Sequence, residues 1–173
     1  MKKVLALLLA LGMVLGMCAC GGGGGGGKTK EIKGETFDTG EFSVLVPEGW
    51  LKHDVTFQGD LKTNQLQLYK GAKSEEDFFS TPYISIKYFD EKMPTLEDMV
   101  RYYDESEMLD DVTIGDVTWE AASATFVDKQ IILKSESPAE FAVYIAVDVN
   151  GNTISLDDAD VQAIIKSLTV TAK

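Results

Sequence analysis

Residues 42–50 read Phe42-Ser43-Val44-Leu45-Val46-Pro47-Glu48-Gly49-Trp50. Phe42, Val44 and Val46 stand two apart, the spacing of side chains that share one face of a strand. Pro47 restricts φ and Gly49 tolerates a positive one, so the residues after the strand suit a type I turn. The stretch therefore predicts strand, turn, strand, and the rest of the body is read outward from it.

Alternating or β-branched runs predict further strands over 65–69, 83–89, 112–118, 124–133 and 141–149. In the last of these Phe141, Val143, Ile145 and Val147 share a face. Asn150-Gly151 follows, and this dipeptide marks a hairpin because both central positions of a type I′ turn need positive φ. Residues 153–156 should pair back. Two helices are expected among the strands. Thr95 with Asp98 forms a capping box before Leu96, Met99, Val100 and Tyr103, which lie at helical spacing. Ser155 or Asp157 caps the second, whose stripe is Val161, Ile164, Ile165 and Leu168, with Lys166 near its C-terminal end. Helices with one apolar face among antiparallel strands imply an α+β domain in which helices cover a sheet. There is no internal repeat.

The opening stretch, together with Ile164-Ile165-Lys166-Ser167-Leu168-Thr169-Val170 at the other end and the strand ladder between, resembles the PsbP-like fold. The resemblance spans about residues 37–171. It implies an antiparallel sheet flanked by helices, an α/β/α sandwich shared by photosystem II extrinsic subunits, a Ran-binding transport factor and many small bacterial lipoproteins. The matching residues are turn and core positions, which report fold and not activity. No functional residue is carried over from the family.

Before the body stand Lys2 and Lys3, an uncharged apolar run over 4–17, Ala19, Cys20 and seven glycines. A positive n-region, a short apolar h-region and a small residue at the cleavage point make a signal peptide. The run is shorter than the roughly 20 apolar residues a spanning helix needs. Met17-Cys18-Ala19-Cys20-Gly21 resembles the lipobox of bacterial lipoproteins, which implies a diacylglyceryl thioether on Cys20 and two acyl chains, enough for stable anchoring. Residues 1–19 are then a signal peptide, 20–35 the lipidated cysteine with a Gly- and Lys-rich flexible linker, and 36–173 a single domain. Removal of Cys18 and lipidation of Cys20 leave no thiol in the body, so disulfide and thiol chemistry are excluded. The expected location is the extracytoplasmic face of the bacterial cell membrane.

The chain carries 28 acidic and 16 basic side chains, a net charge of −12, and of the acids only Glu31 and Glu35 precede residue 36. So acidic a body excludes nucleic acid, which demands a basic face. It leaves basic proteins or divalent cations as partners, or simple solubility as the reason for the charge.

Candidate chemistry is sparse. His53 is the one histidine, no G-x-S-x-G is present, and one imidazole without thiols rules out His- and Cys-rich zinc sites. Paired carboxylates suit glycosidase chemistry, but they are too numerous here to single out a pair. Asp104, Glu105, Glu107, Asp110 and Asp111 are expected at or just beyond the C-terminal end of the first helix, where the helix dipole disfavours negative charge. Ca²⁺ or Mn²⁺ bound by these oxygens, or a basic partner, would compensate; a solvated loop is the plainer reading. Asp148, Asn150 and Asn152 with Asp157, Asp158 and Asp160 partly follow a Ca²⁺-loop pattern, although Gly151 is misplaced and the closing glutamate is missing. A hairpin turn and a helix cap account for all six. Trp50, Trp119, Tyr83, Tyr88, Tyr102, Tyr103 and Tyr144 either line a groove or, for the most part, fill the core. The function expected from these readings is that of a non-enzymatic, lipid-anchored binding or accessory domain with a protein partner in the envelope. A cation-binding accessory protein and an envelope hydrolase are the alternatives.

Overall fold

The computed structural model describes residues 32–54, 64–136 and 139–171. Cys20, the expected signal peptide over 1–19 and the glycine tract lie outside these residues. The fold is a small α+β domain built mainly of antiparallel strands with two helices.

β1 (Gly34–Asp38), β2 (Phe42–Pro47) and β11 (Thr169–Val170) make a three-stranded sheet in the order β1-β2-β11. β1 takes up Gly34 and Glu35, which sequence composition assigns to the linker. Gly34 sits so close to β2 that a Cβ there would run into the Val46 carbonyl. As the alternation requires, Phe42, Val44 and Val46 are buried. The turn at 48–49 follows, and Gly49 adopts φ +87°. It does not fold β3 (Trp50–Asp54) back onto β2, as a hairpin would. Instead the chain changes sheets, because β3 pairs with β4 (Gln65–Lys70).

The larger sheet has the order β3-β4-β5-β9-β8-β7-β6, with β10 (Asn152–Thr153) also on β9. Its other members are β5 (Tyr83–Phe89), β6 (Asp104–Ile114), β7 (Val117–Thr125), β8 (Lys129–Ser135) and β9 (Glu140–Val149). Asn150 at φ +52° and Gly151 at φ +81° make the turn between β9 and β10 that the dipeptide predicts. Two expected strands are each broken by a turn. The 112–118 run contains the β6–β7 hairpin, where Gly115 has φ +65°, and the 124–133 run contains the turn at 126–128.

One face of this sheet, carrying Leu66, Leu68, Ile84, Ile86, Trp119, Ala121, Leu133, Phe141, Val143 and Ile145, packs against the small sheet and α2 (Ala159–Lys166). Val161, Ile164 and Ile165 of α2 are buried there, as the stripe predicts. The helix starts after Asp158, one residue beyond the nearer expected cap. The opposite face receives α1 (Leu96–Val100), whose Leu96 and Val100 pack on Ala122, Ala124 and Ile132. Small alanines let the helix approach the sheet closely. Thr95 Oγ1 accepts a hydrogen bond from the Asp98 N–H at 3.1 Å, the expected cap. The helix is shorter than its stripe, because a turn from the Tyr103 N–H to the Val100 carbonyl closes it.

Candidate functional site

At the end of the large sheet, three segments meet around exposed apolar side chains. Burial of Leu96 and Val100 fixes α1, and the chain leaves it through Arg101-Tyr102-Tyr103. Tyr103 folds back toward the sheet and its ring stands 5.5 Å from that of Phe126. Tyr102 is turned outward and is 82% exposed. Beside it the β7–β8 turn presents Phe126 at 69% and Val127 at 80% exposure. The turn is held by the Phe126 N–H donating to the Asp128 carbonyl at 3.3 Å. Phe79, on the 3-10 turn Glu75–Phe79, is exposed as well, at 88%.

β6 begins next to this patch. Glu105 takes φ +49°, a conformation unfavourable for a side chain with a Cβ, and its carboxylate accepts from Thr125 Oγ1 at 3.3 Å. β6 is the last strand in the sheet order and is exposed along nearly its whole length. Its register on β7 slips twice, between Asp104 and Glu107 and between Leu109 and Val112. In the second slip Asp110 and Asp111 stand against Glu120 alone.

The five carboxylates Asp104, Glu105, Glu107, Asp110 and Asp111 therefore lie on an edge strand, and not at a helix end as expected. The macrodipole argument does not apply to them. At about 3.3 Å per residue they are strung over roughly 23 Å, and the slips break the simple alternation, setting Asp110 and Asp111 together on the side of Glu120. Among the described residues no group of three or more His, Cys, Asp or Glu is placed to hold a metal ion. Acid side chains and bulges are two devices by which proteins blunt an exposed edge.

The second acidic group is consumed by local structure. Asp148 accepts from the Gly151 N–H at 2.9 Å. The Asn150 and Asn152 amides donate to the carbonyls of Phe79 at 3.0 Å and Ser80 at 2.9 Å, clamping the 3-10 turn Glu75–Phe79. The Asp157 N–H donates to Ser155 Oγ at 3.2 Å. Asp158 and Asp160 receive Lys70 Nζ at 3.2 and 3.0 Å, and Asp160 also accepts from Trp50 Nε1 at 3.0 Å. Burial works to raise the Asp160 pKa, but hydrogen bonds from Lys70 and Trp50 outweigh it and hold the carboxyl below its ordinary value. Burial likewise opposes charge on Lys70, and Asp160 and Asp158 together lift it above the usual lysine value.

A polar cleft of about 470 Å³ lies nearby, lined by Lys70, Gly71, Lys73, Asp77, Thr81 and Asn152 among others. Its charges are largely committed. Lys70 serves the two aspartates, and the Asp77 carboxylate accepts from the Lys73 and Ser74 N–H groups at 2.8 and 3.1 Å, which lowers its pKa.

His53 lies on β3 with its ring 5.1 Å from that of Phe78. Of the seven aromatic residues singled out in sequence, Trp50 and Trp119 are core, and Tyr102 alone is fully at the surface. Burial pushes the Tyr144 hydroxyl up to about 12, with Tyr103 adding to the effect. Phe126 and Val127 escape sequence reading because they favour strands and continue β7, with Asp128 alone, and no Gly, Pro or Asn, to announce a turn. Among the described residues no helix is long and apolar enough to cross a membrane. The chain matches no family model, no curated protein and no solved structure.

Proposed function

We propose that the chain is a lipid-anchored binding domain held at the extracytoplasmic face of a bacterial cell membrane, acting without catalysis as an accessory to a protein partner in the envelope. The observation that carries the binding role is the outward placement of Tyr102, Phe126 and Val127 at one end of the sheet. A contiguous exposed apolar patch is a common mark of an interaction surface. Burying a side chain of this kind is worth about 1.5–3 kcal/mol. The anchor rests on the charged, apolar and small-residue order before Cys20. We also assign the domain to the PsbP-like sandwich. Helices on opposite faces of an antiparallel sheet, and the Pro47-Glu48-Gly49-Trp50 corner where the chain changes sheets, support that assignment.

The test is made in a bacterium that lipidates its own exported proteins. The wild-type chain should take up labelled palmitate and fractionate with membranes, and Cys20→Ser should lose both properties. A Cys20→Ser protein that keeps its label and its membrane fraction rules out the anchor. Cross-linking on those membranes should capture a partner with wild type and lose it with Tyr102→Ser/Phe126→Ser/Val127→Ser. Equal capture by the two proteins removes this surface from the reading.

A further inference from the structure

We propose that β6 receives an extended, basic segment of the partner as an added strand, which rests on the docking role just given and specifies its chemistry. β6 spans Asp104–Ile114 and pairs with β7 on one side only. Among the described residues, no backbone hydrogen bond joins its other side to any further segment. An exposed edge of this kind is a template that an incoming strand completes through main-chain hydrogen bonds, with side-chain pockets giving the choice of partner.

Charge selects the occupant. Asp104, Glu105, Glu107, Asp110 and Asp111 lie on the strand and no Lys, Arg or His accompanies them. A second copy of the chain would bring an equally acidic edge, and like charges opposite one another destabilise a strand pair. Lysines or arginines on the incoming strand would meet carboxylates at these positions. Apolar side chains are also offered: Met108 and Leu109 are 48% and 38% exposed midway along β6, and Tyr102, Phe126 and Val127 stand at its Asp104 end. An edge that is merely protected would need charge but would gain nothing from this apolar company. The matching segment alternates basic with apolar or β-branched residues. The two register slips confine regular pairing to the stretches 107–109 and 112–114.

The probe is a fluorescein-labelled ten-residue peptide alternating lysine with valine or threonine, titrated by anisotropy against the full chain in a neutral detergent. Saturable binding is expected, and it should be lost when the backbone amides of the peptide are N-methylated. Glu107→Gln/Asp110→Asn/Asp111→Asn should weaken binding at least tenfold. Glu75→Gln/Glu76→Gln/Glu91→Gln, which removes the same charge from other exposed positions, should leave it within about twofold. Circular dichroism and a thermal melt confirm that each variant is folded. Equal binding of the N-methylated peptide, equal weakening by both triple variants, or no saturation by wild type overturns the strand addition. If the apolar-patch variant still loses its captured partner in that event, the docking role stands while the β6 assignment falls.

Discussion

Asp160 joins three regions of the chain through one carboxylate. It holds the start of α2 to the Trp50 indole of β3 and to Lys70 at the end of β4. With its side chain 21% exposed, it keeps its charge because partners outweigh the burial penalty. Asp160→Asn should lower stability by about 2 kcal/mol near neutral pH, the scale of hydrogen bonds to charged groups. The Asp160 pKa is depressed in the folded state, so its contribution is present above the unfolded value of about 3.9 and fades as pH falls through the folded one. The Lys70 pKa is raised, so its share is full below about 10.4 and is lost as pH rises past the folded value. Urea melts should show a constant gap between wild type and variant from about pH 5 to 9, closing toward pH 3. A gap that persists unchanged at pH 3 would mean that the charge is irrelevant.

Elements differ in how far their sequence announces them. β2 and β9 are legible because alternation at 42–46 and 141–147 carries through to burial, and Asn150-Gly151 is legible because few other residues tolerate two consecutive positive φ values. The turn at Phe126 is hidden, since it uses neither glycine nor proline and two of its three residues, Phe126 and Val127, favour strands, leaving Asp128 as the one turn signal. The corner at 47–49 is half legible. Its residues announce a turn, but which sheet the next strand joins depends on distant pairing with β4. Of the candidate site, Tyr102 is visible in the sequence only as one aromatic among seven. The carboxylates of β6 are visible as a cluster but misplaced by element, because a capped helical stripe suggests a longer α1 than tertiary packing allows.

At the scale of the molecule, a net charge of −12 makes self-repulsion a component of the stability. Added salt should raise the melting temperature by screening it. Ca²⁺ or Mn²⁺ at matched ionic strength should do no more than NaCl. A selective, chelator-reversible rise, worth about 2.7 kcal/mol at a hundredfold excess over Kd, would restore a cation site to this acidic surface.

The β1–β2 hairpin decides how such a domain would give way under tension. Force arriving from the N-terminal side enters at the hairpin's open end, where the Glu48 N–H meets the Lys33 carbonyl and Gly34 faces Pro47. Where the opposing load pulls across β1, paired residues separate in sequence toward Asp38; a load applied at Thr171, which leaves the sheet at its other end beside Glu41, shears them together. Four of the five β1 residues are exposed, and Phe37 is its sole half-buried side chain, so peeling them sacrifices little of the core. Pulling single molecules from that side should record a small early extension before the main rupture; one abrupt event would show that β1 yields only with the whole. A strand that lets go first acts as a shock absorber, leaving the acidic edge and its aromatic end folded while the load is taken up.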